Sequence, residues 1–418
     1  MTSAGVRLRR VAALSVLLAS TLTGLGCSDD PSSPGDQEIV IGGLFSLTGN
    51  WSSLGVASKA ALEIGIEDVN AYLAGGNSGL RFAASIKDTK LDPPTALAGI
   101  TAFKESGVEV VLGPQSSAEV AAIKSYADAN GILVASQSST AGTLAIAGDN
   151  VFRFTPSDTL EAVALVGLMK ADGMATIVPF WRNDAGNVGL QVATRALFSL
   201  TGTVKPGVEY PATQANFGVA LASLKTQVQQ AIAERGGTAT VAVAHAGFDE
   251  VVDIFKAATT DPVLSSVRWY GTDGTAGTEP LRADPTAAAF ARKVGFWTPI
   301  PGVDREASDR WEPIAARIAA RAGRSPDAFG LAVYDAVWVT AQAYLAAGGR
   351  GKPAALKSAF VNAANNLYGA SGWTVLNAAG DRKFGNFDFF ALSLNGTNSA
   401  WTLRAQYDTQ RHVLTRVP

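Results

Sequence analysis

Apolar residues in this chain come in short dense runs, separated by longer stretches in which they recur every three or four positions. Residues 38–45 (EIVIGGLF) form a continuous apolar run with β-branched members, the pattern of a strand buried on both faces. Over 53–73, Ala57, Ala61, Ile64, Val69 and Leu73 fall at helical spacing. The alternation continues with strands predicted over 81–87, 108–112 and 132–135 and helices over 94–105 and 117–130. Pro94 opens the first of those helices, and Asn130-Gly131 stops the second. After a break at Phe154-Thr155-Pro156, helices are expected over 158–172, 188–200, 217–235 and 248–259, with strands over 175–179, 204–210, 238–244 and 267–271. The rest is more helical, over 310–322, 329–347 and 353–364. It closes on two apolar runs, 388–393 and 400–406, around Asn395-Gly396, a hairpin signal.

Strands that alternate with helices imply parallel sheets joined by right-handed crossovers. Two such series in a chain of 418 residues imply an α/β protein of two doubly wound parallel-sheet lobes.

The first residues follow a different logic. Arg7, Arg9 and Arg10 precede an uncharged stretch over 11–25, too short to span a bilayer, which needs about 20 apolar residues. This reads as a signal peptide over 1–26. It ends in Leu22-Thr23-Gly24-Leu25-Gly26-Cys27, which resembles a bacterial lipobox, with Gly24 where that pattern prefers Leu. Cys27 is therefore the expected lipidation site, residues 27–37 a tether, and the product an exported protein anchored to a bacterial membrane and facing the periplasm or the cell exterior.

Composition removes several functions. Lys and Arg total 34 against 36 Asp and Glu, without the basic excess of a nucleic-acid binder. One cysteine excludes an intrachain disulfide or a thiolate cluster. The two histidines, His245 and His412, lie far apart, and no nucleophile elbow, P-loop, dinucleotide fingerprint or zinc motif is present. No metal, cofactor or enzymatic turnover is expected. His245, at the end of an apolar strand, reads as a structural polar residue.

The informative residues are small, polar and placed after strands. Ser116 and Ser117 open the helix over 117–130, where free N–H groups and the positive dipole end would receive a carboxylate. Ser116 with Glu119 also fits a capping box, and both readings are compatible. Ser138, Ser139 and Thr140 follow the next strand, and Asp273 follows the strand over 267–271. Ligands of open α/β sheets sit at such carboxyl ends. Trp51 lies among turn-formers after the first strand, which suits an exposed aromatic. Hydroxyls and amides in one lobe and an acid in the other fit a molecule with a carboxylate and an ammonium, such as an α-amino acid.

With these residues in view, the chain resembles the type I periplasmic binding proteins of the leucine/isoleucine/valine kind, the substrate-binding lipoproteins of ABC importers. Ile41 to Gly49 followed by Gly55, Asp88 with Asp92-Pro93, Val111-Leu112-Gly113-Pro114, Gly131 to Val134, Gly271-Thr272-Asp273-Gly274 and the Gly380–Phe389 run carry the resemblance, which covers residues 38–406. It implies lobes of 38–155 with 299–373 and of 156–298 with 374–418. They would be joined by a three-segment hinge crossing near 154–156, 297–301 and 373–376. It also implies a monomer whose partners are a small-molecule ligand, an ABC permease and, through the anchor, a membrane. Ser117, Ser138 and Thr140 match positions that hold the ligand's carboxylate end. Asp273 stands for the acid, often Glu, that pairs with the ammonium. Trp51 and Phe248 match pocket aromatics. Where the family often has an aromatic before glycine, this chain has Ala185, leaving Phe180-Trp181 to fill the space or the pocket enlarged. The alternatives are a ligand-sensing receptor subunit of the same fold, or a binder of an amide, urea or small carboxylate.

Overall fold

The computed structural model describes residues 37–76 and 78–417. The signal peptide, the lipidation site Cys27 and all of the tether but Gln37 lie outside the described residues.

The first sheet is built from β1 (Gln37–Phe45), β2 (Leu80–Asp88), β3 (Val110–Leu112), β4 (Leu133–Ser136) and β5 (Val151–Arg153), with α1 (Ser52–Ala74), α2 (Pro93–Glu105) and α3 (Ser117–Asn130) between successive strands. Its order is β2-β1-β3-β4-β5, and every pairing is parallel. β1 lies between two neighbours, which is why its inner residues are apolar on both faces. Ile39, Ile41 and Phe45 pack with α1, while Leu44 packs against Ile100 and Phe103 of α2 and Val120 and Ile123 of α3. The turn from β1 into α1 is tight enough to require glycine: a Cβ on Gly55 would lie 1.9 Å from the Ser46 carbonyl oxygen.

The second series is α4 (Asp158–Ala171), β6 (Thr176–Asn183), α5 (Ala185–Phe198), β7 (Thr203–Val204), β8 (Val208–Pro211), α6 (Gly218–Arg235), β9 (Val241–Ala246), α7 (Val251–Ala258), β10 (Arg268–Tyr270), α8 (Glu279–Ala283), α9 (Pro285–Lys293) and β11 (Trp297–Pro301). These strands pair in parallel in the order β11-β10-β9-β6, and β6 carries both β7 and β8 on its other edge. The single strand expected over 204–210 is two, because Pro206 lacks an N–H and Gly207 takes φ 79°.

The chain then returns to the first sheet with α10 (Ser308–Ala322), α11 (Ala328–Ala347) and α12 (Pro353–Asn365). Val337 of α11 and Phe360 of α12 share the core of β1 and α1. A small hairpin follows, β12 (Tyr368–Gly369) with β13 (Gly372–Trp373). The last strands, β14 (Phe387–Asn395), β15 (Asn398–Asp408) and β16 (Val413–Arg416), add antiparallel to β11. The second sheet is therefore mixed, parallel at its centre and antiparallel along one flank.

β11 lies in the second sheet up to Pro301, so the chain leaves it at the end of the expected 297–301 crossing, and residues 299–301 lie with the second sheet rather than with the first lobe. The third crossing comes later than 373–376. The backbone of Arg153 bonds to Gly380 and Arg382, and the Arg153 guanidinium grips Asp381 at 2.5 and 2.7 Å, both groups buried. That buried pair keeps residues 376–382 against β5, and the chain joins the second sheet only at Phe387.

Candidate functional site

The loops after β1, β3 and β4 face the loops after β6, β9 and β10, carboxyl end to carboxyl end. Between them Trp51, Ser116, Ser117, Ser138, Thr140, Phe248 and Asp273 line one cavity, together with Asp158, Gly186, Asn187 and Leu190. The cavity is narrow, about 20 Å³, room for little more than a water, so an organic ligand enters only as the walls part. Ser139 does not line it. Its hydroxyl lies 3.0 Å from that of Ser117, and its N–H goes to Ser136 Oγ at 3.1 Å.

The serines divide the work. Ser116 is the N-cap of α3: its Oγ accepts the Glu119 N–H at 3.3 Å, and the Glu119 carboxylate accepts the Ser116 N–H at 3.0 Å. This is the capping box that the spacing of Ser116 and Glu119 predicts. Ser117 Oγ accepts the N–H groups of Thr140 and Ala141, each at 3.2 Å, and so ties α3 to the loop after β4. Ser138 Oγ donates to the Gln115 carbonyl at 2.9 Å. Ser117 therefore lines the cavity from the first turn of α3, and Thr140 lines it from the loop that Ser117 fixes.

The opposite character comes from α4 and the turn after β10. Asp158 and Glu161 sit in the first turn of α4, where the helix dipole favours negative charge, and both are buried. Neither oxygen of Asp158 is in hydrogen-bond geometry with a donor among the described residues. Burial pushes its carboxyl up to about 8, the nearby Thr140 hydroxyl opposes this, and the Asp273 charge adds to it. Glu161 Oε1 accepts the Asp273 N–H at 3.0 Å, and burial with the neighbouring Asp273 raises its carboxyl well above the usual range. Asp273, whose Oδ1 accepts the Gly274 N–H at 2.7 Å, is pushed up to about 7, chiefly by burial. Arg153, the cation nearest in sequence, is committed to Asp381. Three buried carboxyl groups thus share a small volume in need of a cation.

Contacts across the cleft close its mouth. Trp51 is only 4% exposed, not the exposed aromatic expected, because it stacks on Phe248. Asn50 Nδ2 donates to Glu250 Oε2 at 2.6 Å, and Ser53 Oγ to Asp249 Oδ1 at 3.4 Å. Burial raises the Glu250 carboxyl, but Arg182, 3.7 Å away, and Asn50 outweigh it and hold the group below its ordinary range. A Cβ on Gly186 would lie 3.4 Å from Ser117 Oγ, so the two walls meet there through a residue without a side chain.

Several residues escaped the sequence reading. Asp158 was hidden inside the predicted α4. Asn187 and Leu190 lie on α5, and their signal was the short approach Asp184-Ala185-Gly186 into that helix. Phe180 and Trp181 do not fill the place of the missing aromatic: Phe180 is core, packed on Tyr210, and Trp181 turns outward to Glu209. His245 is buried on β9 beside the Tyr210 hydroxyl at 3.2 Å, and burial lowers it to about 4, so it stays neutral.

Comparisons with known proteins agree with this fold. The family model described as the receptor family ligand binding region matches residues 57–395. An uncharacterised protein of Methanocaldococcus jannaschii is 26% identical over 412 residues, covering 94% of this chain and 95% of its own. A leucine-binding protein from Thermotoga maritima superposes with a TM-score of 0.73 at 19% identity, over 89% of this chain and 99% of the other. The branched-chain amino acid binding protein of Streptococcus pneumoniae, solved with isoleucine, gives 0.68 at 20% over 88% and 99%. A solute-binding protein of R. palustris, solved with benzoate, gives 0.70 at 19% over 88% and 96%.

Proposed function

Because the chain belongs to the receptor family ligand binding region, whose two lobes face each other across a cleft, we propose that it is an extracytoplasmic solute receptor. It captures an α-amino acid as the lobes close and presents it to the permease of an ABC importer, held at the membrane through Cys27. The ligand's ammonium takes the place between Asp158 and Asp273, and its carboxylate faces the Ser117 and Thr140 hydroxyls. Leu190, Trp51 and Phe248 offer an apolar surface to an aliphatic side chain.

One observation carries this reading: the Asp158 carboxyl is buried with both oxygens unpartnered among the described residues, beside a second buried acid. A ligand with a carboxylate alone, like the benzoate of the R. palustris protein, would add a fourth acid to Asp158, Glu161 and Asp273. An amino acid brings the missing cation with it.

Thermal unfolding against a panel of amino acids, small amides, urea and carboxylates tests it. A ligand at 100 times its Kd adds about 2.7 kcal/mol, a clear shift in melting temperature. A shift by α-amino acids that Asp273→Ala abolishes supports the proposal. A shift by acids lacking an amine, or a silent panel, overturns it.

A further inference from the structure

One apolar cluster, Trp51, Phe248, Phe329, Ile300 and the flanking Phe390 among it, stands between two cavities. Trp51 and Phe248 line the small one already described, and Ile300 and Phe390 line a larger one of about 600 Å³. That volume lies within the usual range for a small-molecule site, about 300–1,000 Å³. One wall comes from helices on the first sheet, through Trp311 of α10, Leu331 of α11 and Arg324 between them. The other comes from the second sheet, through Ile300 of β11, Phe390 of β14 and Trp401 of β15.

The polar groups there are unequally served. Arg282 is paired with Glu279, and Arg305 with Asp388. Arg324 gives Nη2 to the Gly277 carbonyl at 2.8 Å. Its Nη1 is buried and meets no acceptor among the described residues, although Asp249 and Asp327 feel its charge. A buried guanidinium N–H without an acceptor is costly, and a planar carboxylate matches it in charge and geometry.

We infer that this cavity is a second binding site, for an amphipathic monocarboxylate. Its carboxylate lies on Arg324, and its apolar body lies against Ile300, Leu331, Phe390, Trp311 and Trp401. Because the walls come from both sheets, such a molecule bridges them on a face separate from the cleft proposed for the amino acid.

Calorimetric titration of the full chain with 2-naphthoate tests this. The expected result is saturable binding that Arg324→Gln weakens roughly ten- to hundredfold, the scale of a charge-assisted hydrogen bond. Ala315→Phe, which fills the cavity without touching the arginine, should weaken it likewise, and it decides the matter if Arg324→Gln fails to fold. Ser117→Ala, in the small cavity, should leave naphthoate binding in place. Absence of saturable binding overturns the inference. So does binding that Ser117→Ala removes, or binding that both Arg324→Gln and Ala315→Phe spare.

Discussion

Trp51 and Phe248 come from opposite sheets and stack with ring centroids 4.4 Å apart and planes inclined by 24°. Phe329 meets the same tryptophan edge-on at 6.3 Å, and the Arg182 guanidinium lies over the Phe248 ring, 5.3 Å from its centroid. Trp51 enters α1 with φ 57°, so its ring is aimed at the cleft by a backbone conformation that few bulky residues adopt. If the lobes close on a ligand as proposed, closing them makes this stack and opening them exposes both rings.

Trp51→Ala should therefore weaken ligand binding by roughly tenfold or more, as a buried aromatic contact is lost on closure. Titration calorimetry with the amino acid found in the panel checks it. A Kd within about twofold of the parent would sink the idea that this stack stabilises the closed state.

Asp158 should cost the ligand-free protein stability as pH rises. Its folded-state carboxyl sits at about 8 against an ordinary 3.8, so between these values the folded state binds more protons than the unfolded one. Stability from this group is present below about pH 4 and is lost as pH climbs toward 8. Asp158→Asn should raise the melting temperature at pH 8, with an effect on the order of a few kcal/mol, flatten that slope and abolish amino-acid binding. Melting curves from pH 5 to pH 8 read all three.

Ligand affinity should move the opposite way. An ammonium prefers ionised carboxylates, and Asp158 and Asp273, at about 8 and about 7, are partly protonated near neutrality. Binding then expels protons, and Kd falls as pH rises from 6 to 8. Calorimetry in buffers of different ionisation enthalpy counts the protons released, and a count of zero at pH 6.5 would contradict the placement.

Ser116 and Ser117 are neighbours with separable effects. Ser116→Ala removes a helix cap, so it should cost about 1 kcal/mol of stability and change affinity little. Ser117→Ala leaves the cap intact, frees the N–H groups of Thr140 and Ala141, and should weaken binding about tenfold or more. Equal effects of the two on affinity would refute this division.

Arg153→Met leaves Asp381 buried without its partner. The expected loss is about 3–5 kcal/mol of stability, measured by chemical denaturation.

Most of the alternation of strands and helices was legible because each period is local. The strand over 38–45 and the helix over 329–347 are marked by their own residues. The elements missed were those whose reason lies elsewhere. β5 is three residues long and makes sense only beside β4 and the returning segment at Arg382. α8 and α9 are short and follow a glycine-rich turn. In the cleft, Ser117, Thr140 and Asp273 announced themselves by following strands and Phe248 only through the family resemblance, whereas Asp158 looked like any acid in a first helical turn. Its meaning depends on its two buried oxygens lacking a hydrogen-bond donor among the described residues, while the nearby Arg153 is committed to Asp381, and no spacing rule reports that.

The return of α11 and α12 to the first sheet has a consequence for how the molecule is made. The apolar face of β1 and α1 stays uncovered until residues 328–365 have been synthesised, and the flank of β11 until β14 arrives. Neither half can finish by itself as the chain emerges, since each waits for a segment encoded after the other. A chain wired this way stays loosely folded through most of its synthesis, the condition in which it can still be threaded across a membrane. It also cannot be cut into two fragments that keep both cores whole, so splitting it at residue 155 should yield two insoluble pieces rather than two lobes.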